Sequence, residues 1–315
     1  MIMEKPRSLK KMLSEKQVFA ACVWDYMSAR AAEKVGFEAT LLASGAVSPC
    51  EEGYNDLGLL TLDEFVWETE RITDRSPLPL ILDAENGFGD SPLHAYRTCQ
   101  RLMRAGAQAI QMEDSKGVRG FARLYYEKKP DEVTSQRDWL AKIRASKAAL
   151  EGTDCILIAR TEALLTHGLD EAIERCLRAY EAGADMTLIM GINNGEGSME
   201  LCQKIAKHVP GWKMYPDVDS HDGIPDVTIK DLEPLGFNLV TCHYLEKAAW
   251  FGMLDYARHV VADRNTLYSN EHDMGGLTRQ ERTQMMGCEI HEWLEFERSC
   301  YRDSDKVQFT RDYTG

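Results

Sequence analysis

Four acidic side chains cluster in two short stretches: Asp83 and Glu85 in DAENGFG (83–89), and Glu113 with Asp114 in MED (112–114). Each stretch follows or closes an apolar run. If the two runs are neighbouring strands, three or four carboxylates converge at one place, where they repel one another unless a hard cation neutralises them. Mg2+, with Mn2+ as a substitute, suits such oxygen donors. Asp83, Glu85 and Glu113 are therefore expected to ligate metal. The competing reading is that these acids cap the following helices, and convergence from adjacent strands counts against it. Arg160 ends another apolar run, and Lys116, Arg119 and Arg123 follow the second acidic stretch. A guanidinium beside a metal is suited to hold a carboxylate or phosphonate that the metal also binds; the alternative is a salt bridge to Glu162 or Glu113. Ser44-Gly45-Ala46 offers consecutive backbone N–H groups on small residues, an expected anion nest. Asp56 ends a Gly- and acid-rich loop that could close as a lid. His243 also follows an apolar run and is a candidate proton carrier, against the commoner role of a packed histidine. Trp24, at the end of the first run, is grouped with the substrate-binding candidates.

Elements of one kind would bring these residues together. Four times a helical segment ends in glycine and leads into a β-favouring run: KVGFEATLLAS, RAGAQAIQMED, EAGADMTLIMG and PLGFNLVTCHY. Gly36, Gly106, Gly183 and Gly236 can each take the left-handed conformation that ends a helix. Their spacings of 70, 77 and 53 residues compare with about 30 or more for one strand-helix-strand unit. Short apolar runs near 18–23, 39–43, 79–82, 109–112, 155–159, 186–190, 212–215 and 239–242 read as buried parallel strands, because they lack strict alternation. Eight strands alternating with helices predict a (β/α)8 barrel over residues 1–263, with the active site at the C-terminal strand ends. Residues 264–315 are expected to be a helical tail, with an amphipathic helix over 278–300, and not an independent domain.

Composition narrows the partners. With 37 Lys plus Arg against 51 Asp plus Glu, the net charge of −14 excludes nucleic acid and anionic membrane as the expected partners. Nine scattered cysteines without a C-x-x-C pair suggest neither a disulfide framework nor a zinc site. No stretch approaches the roughly 20 apolar residues of a membrane span. A cytoplasmic protein acting on a small anion is expected.

Taken together, these residues resemble the isocitrate lyase and phosphoenolpyruvate mutase superfamily. The match runs from about Leu9 to Ala249: VWDYMSARAAEKVGF resembles its first unit, ASG its substrate loop, GYNDLGLLT its gating segment and DAENGFG its D-x-D-x-G-x-G metal loop. MED resembles its strand-four acid, and IARTEALLTHGLDEAIERCLRAYEAGAD its strand-five segment. The resemblance implies a barrel whose last helix is exchanged between subunits, in a homotetramer or homodimer. It also implies Mg2+ holding a 2-oxo acid or its enolate. Asp83, Glu85 and Glu113 would form the metal shell, partly through water, and Ser44, Gly45 and Ala46 would hold the substrate carboxylate. Arg160 would stabilise the enolate, Asp56 would arrive with the lid and Lys116 would come from the catalytic loop.

The departures concern the reaction. Glu85 replaces the second aspartate of the metal loop. The lyases of the family carry K-[KR]-C-G-H, whose cysteine is a general acid, whereas SKGVRGFARLYYEKKPDE has neither cysteine nor histidine. The mutase and hydrolase Asn-Ser pair is absent too, and MGINN lacks both the mutase histidine and the lyase glutamate. Three readings follow. The first is a Mg2+-dependent lyase that breaks a carbon–carbon bond in a small 2-oxo or 2-hydroxy dicarboxylate through a pyruvate- or oxaloacetate-type enolate, with His243, Lys116 or Tyr125 as proton donor. The second is a phosphoenolpyruvate mutase or phosphonopyruvate hydrolase type enzyme using Arg119, Arg123 or Lys128. The third is a catalytically inactive ligand-binding barrel.

Overall fold

The computed structural model describes residues 6–116, 132–193, 197–218, 227–268, 272, 278, 281 and 290–301. Eight parallel strands close into a barrel in sequence order: β1 (Val18–Val23), β2 (Ala39–Leu42), β3 (Leu80–Asp83), β4 (Ala109–Glu113), β5 (Ile156–Thr161), β6 (Met186–Ile189), β7 (Trp212–Tyr215) and β8 (Phe237–Cys242). β8 returns to β1 with Val18 opposite Leu239 and Ala21 opposite Cys242. Helices alternate with the strands, and the (β/α)8 architecture expected from the glycine-ended repeats is present.

The repeats work as their composition predicts. Gly36, Gly106, Gly183 and Gly236 all have positive φ, from 76° to 105°, so each reverses the chain out of a helix without a Cβ clash. Strands are nearly continuous in burial because the barrel interior covers one face and the helices the other. Side chains two residues apart on a strand share a face, so apolar positions fill the barrel until the C-terminal ends, where polar ones take over. On β4 the change occurs at Gln111 and Glu113, and on β5 at Arg160, all buried.

The chain divides into two compact units, residues 5–255 and residues 1–4 with 256–315. The barrel belongs to the first. The helix Leu245–Asp263 begins in it and ends in the second, which also holds the helix Ile290–Cys300. The Tyr268 ring of the second unit stacks between His259 and His272, with centroids 3.5 and 4.0 Å away. Among the described residues no helix is long and apolar enough to cross a membrane.

Candidate active site

Strand register assembles the site. Asp83 pairs with Gln111 across β3 and β4, and Glu113 pairs with Arg160 across β4 and β5. The Arg160 guanidinium, 6% exposed, lies among three carboxylates: its Nη1 is 3.2 Å from Asp83 Oδ2, its Nε 3.3 Å from Glu113 Oε2, and its Nη2 2.5 Å from Glu162 Oε1. Both salt bridges foreseen as the alternative role of Arg160 exist, and Asp83 is added to them. Ser44 donates from Oγ to Asp83 Oδ2 at 3.2 Å, Gln111 Nε2 donates to Asp83 Oδ1 at 3.0 Å, and Ser115 Oγ donates to Glu113.

Glu85 is brought alongside by backbone geometry. It adopts φ 53°, unusual for a residue with a side chain, a conformation that costs about 1–3 kcal/mol and persists only when its surroundings fix it. Here the Glu85 carbonyl accepts from Glu113 N–H at 3.0 Å, and Ala84 N–H donates to the Gln111 carbonyl at 3.0 Å. Two glycines complete the turn. A Cβ on Gly87 would lie 2.9 Å from Met112 Sδ, and one on Gly89 2.4 Å from the His94 ring. Lys142, buried on the helix Gln136–Ala149, donates from Nζ to the carbonyls of Asn86 (2.9 Å) and Gly89 (2.8 Å). A cavity of about 420 Å³ opens beside this loop, lined by Glu85, Phe88, Arg97 and Ser115, with Leu60 from the lid segment.

Asp114, counted among the converging acids, has a different role. It turns away into a buried network, accepting from Thr161 Oγ1 (2.6 Å), Glu162 N–H (2.8 Å) and Arg175 Nη1 (2.9 Å). Burial pushes its carboxyl up, and these partners oppose the shift. Its own carbonyl accepts from Thr134 N–H, and Lys116 N–H donates to the Glu132 carbonyl, so the two ends of the segment after β4 are tied together. Lys116 is exposed at that base. Arg119, Arg123, Tyr125 and Lys128 lie outside the described residues.

Ser44-Gly45-Ala46 opens a helical turn, Ser44–Val47, in place of a nest: Ala46 N–H is already donated to the Ala43 carbonyl at 3.0 Å. Asp56 lies beside this turn. A Cβ on Gly45 would be 3.0 Å from Asp56 Oδ2, so the carboxylate lies directly over the glycine. Trp24 is buried in the core cluster at the end of β1.

On the other side of the mouth His243 Nδ1 is 2.5 Å from Asp217 Oδ2, and Cys22 Sγ–H donates to Asp217 Oδ1 at 3.6 Å. Burial would lower the His243 pKa, but the Asp217 charge and hydrogen bond, helped by Glu246 and Asp83, outweigh it and hold the imidazole above its ordinary value. Burial also works to raise Asp217, and His243 overcomes it to hold that carboxyl low. Sequence reasoning missed Gln111, Lys142 and Asp217. Two of them carried a signal: Gln111 is a polar residue inside an apolar run and two before Glu113, and Asp217 follows a strand end.

The model of the phosphoenolpyruvate phosphomutase family matches residues 9–261. The chain belongs to the phosphoenolpyruvate mutase family. It is 32% identical over 232 residues to a 2,3-dimethylmalate lyase of Eubacterium barkeri, covering 73% of this chain and 77% of that one. To a 2-methylisocitrate lyase of Escherichia coli (strain K12) it is 37% identical over 156 residues, 49% of this chain and 51% of the enzyme, so that match spans about half the relative's length. A crystal structure of phosphonopyruvate hydrolase in complex with oxalate and Mg2+ has a TM-score of 0.76 at 23% identity, covering 92% of this chain and 97% of that one, a likeness of fold.

Proposed function

We propose that the chain is a divalent-metal-dependent lyase that breaks a carbon–carbon bond in a small 2-oxo or 2-hydroxy dicarboxylate by way of an enolate. One observation carries the reading: Asp83 and Glu113 are buried around the Arg160 guanidinium at the barrel mouth, with Glu85 on the adjoining loop. Asp83, Glu113 and Glu162 surround that guanidinium, and with Glu85 the donor set is hard oxygen only, which fits Mg2+ or Mn2+. Asp83, Glu85 and Glu113 would hold the ion, directly or through water. Once bound, such an ion supplies electrostatic stabilisation of negative charge on substrate oxygens.

The chain's own residues account for the rest. Ser44 and Gly45 receive the substrate carboxylate at the start of the helical turn, with Asp56 closing over them. Arg160 binds the oxygen on which the enolate charge develops, a charge-assisted contact in a site shielded from water. Asp217 takes the Nδ1 proton of His243 into a hydrogen bond, so Nε2 is the nitrogen that exchanges a proton with substrate. His243 thereby fills the post of the cysteine acid that the segment after β4 lacks, and Lys116 serves from the base of that segment. We also propose a cytoplasmic homo-oligomer, tetramer or dimer, with the barrel's last helix exchanged.

The test is a substrate panel of oxaloacetate, substituted malates and phosphonopyruvate with Mg2+, with pyruvate, CO2 and phosphate detected separately. Cleavage of a malate or oxaloacetate is expected, together with one Mn2+ site per chain that is lost in Asp83→Ala. Phosphate release without carbon–carbon cleavage would move the reading to the mutase and hydrolase side, and a chain that binds no divalent ion would overturn both.

A further inference from the structure

The barrel mouth holds a second group of ligating side chains whose chemistry differs from that of the carboxylate cluster. Cys22 on β1, Asp217 after β7 and His243 after β8 bring a thiol sulfur, a carboxylate oxygen and an imidazole nitrogen within 4.8 Å of one another. Zinc bonds of about 2.3 Å to sulfur and 2.0–2.2 Å to oxygen and nitrogen set tetrahedral edges of about 3.6 Å for S···O and about 3.4 Å for N···O. The Cys22–Asp217 separation of 3.6 Å already matches the first edge. The His243–Asp217 separation of 2.5 Å is that of a hydrogen bond, and it widens when a metal replaces the shared proton.

We propose that Cys22, Asp217 and His243 form a second metal site, selective for a borderline-soft divalent ion of the Zn2+ type and separate from the oxygen site of Asp83, Glu85 and Glu113. Ligand softness separates the two: thiolate and imidazole favour zinc and its neighbours, and an all-oxygen set favours magnesium. Access is one-sided. Cys22 is fully buried, while the Asp217 and His243 side chains are 24% and 34% exposed, so the ion enters from the mouth and keeps a fourth position open to water. The Glu246 charge reaches both Cys22 and His243 and favours a cation between them. The segment carrying Asp217 is pinned, with Asn193 Nδ2 donating to the Asp217 carbonyl at 3.0 Å and Val218 N–H to the Thr241 carbonyl at 2.9 Å. Binding balances by proton release: the thiol gives up its proton, the imidazolium its own, and the ion takes thiolate, carboxylate and neutral imidazole, so affinity rises with pH. Under the lyase reading such an ion also inhibits, because it leaves His243 a neutral imidazole whose Nε2 proton is a far weaker acid than that of imidazolium; the site itself does not rest on that reading.

Co2+ titration of the full chain in saturating Mg2+ tests the proposal without any assay of turnover. One equivalent of Co2+ should give a near-ultraviolet thiolate-to-cobalt charge-transfer band and intense visible bands of tetrahedral cobalt, and stoichiometric Zn2+ should remove them. The bands should vanish in Cys22→Ser and in Asp217→Asn, each checked for folding by circular dichroism, and persist in Asp83→Ala. Weak octahedral bands only, or a thiolate band that survives Cys22→Ser, would overturn it. Since the oxygen site is read by the Asp83→Ala variant, failure of the lyase reading and failure of this site are distinguishable.

Discussion

Arg160 and His243 divide the work of the mouth between a fixed cation and a titrating one. A guanidinium stays charged at all working pH values, so the pH dependence of the proposed reaction falls to His243, held above the ordinary imidazole range by Asp217 against the effect of burial. A proton donor is active below its pKa and lost as pH rises through it. Removing the Asp217 charge takes away the interaction that holds the imidazole up and leaves burial, which lowers it. Asp217→Asn should therefore move the alkaline fall of kcat/KM to lower pH while leaving metal affinity at the Asp83 site unchanged. A profile that does not move would remove His243 from the role of donor. The carboxylates and the arginine were legible in the sequence because each ends an apolar run. Asp114 shows where that rule stops: facing is set by strand alternation, and the residue after Glu113 points to the other side, toward Arg175.

The elements that position the metal loop were less legible than the loop itself. DAENGFG announces a sharp turn through its glycines, but nothing in the sequence links it to Lys142, 53 residues beyond Gly89. The helix Gln136–Ala149 packs against the helix Pro92–Arg104, and that docking inserts the lysine beneath the loop. Burial lowers the Lys142 pKa, opposed by Asp90 and Glu113. Its ammonium is committed to two part-buried carbonyls, and losing these two bonds costs about 1–3 kcal/mol. Lys142→Met, which keeps the stem, should lower Mn2+ affinity about 10–100-fold, the range for loss of a supporting contact, with a lower melting temperature. Unaltered affinity in a destabilised variant would make Lys142 a contributor to stability alone. The strands themselves were readable within a residue or two. Only β8 begins earlier than its apolar run suggests, at Phe237, because barrel closure recruits it to pair with Lys213 of β7.

At the scale of the whole molecule, a chain with net charge −14 must place a large excess of carboxylates, and not all of them are solvated. The eight described cysteines are free thiols, so no cross-link offsets a poorly placed charge. Glu68, on the helix Leu62–Thr73, is 2% exposed and its Oε1 has no hydrogen-bond partner. Burial pushes its carboxyl up to about 7, with the Arg71 guanidinium 3.2 Å away opposing the shift and the Glu51 and Asp25 charges adding to it. The folded state thus keeps a proton that the unfolded chain releases near pH 4.3. Between those two values unfolding releases a proton, so stability falls as pH rises and levels off above about 7. At 1.36 kcal/mol per unit the loss over that whole interval is about 4 kcal/mol. In Glu68→Gln, whose neutral amide mimics the protonated acid, the difference in unfolding free energy between pH 5 and pH 8 should shrink by about 2–3 kcal/mol, read from denaturant titrations at the two pH values. If the variant keeps the wild-type pH dependence, the buried carboxylate responsible lies elsewhere. A gain at alkaline pH with no change in Mn2+ affinity would place the cost of this acid in the barrel wall and not at its mouth.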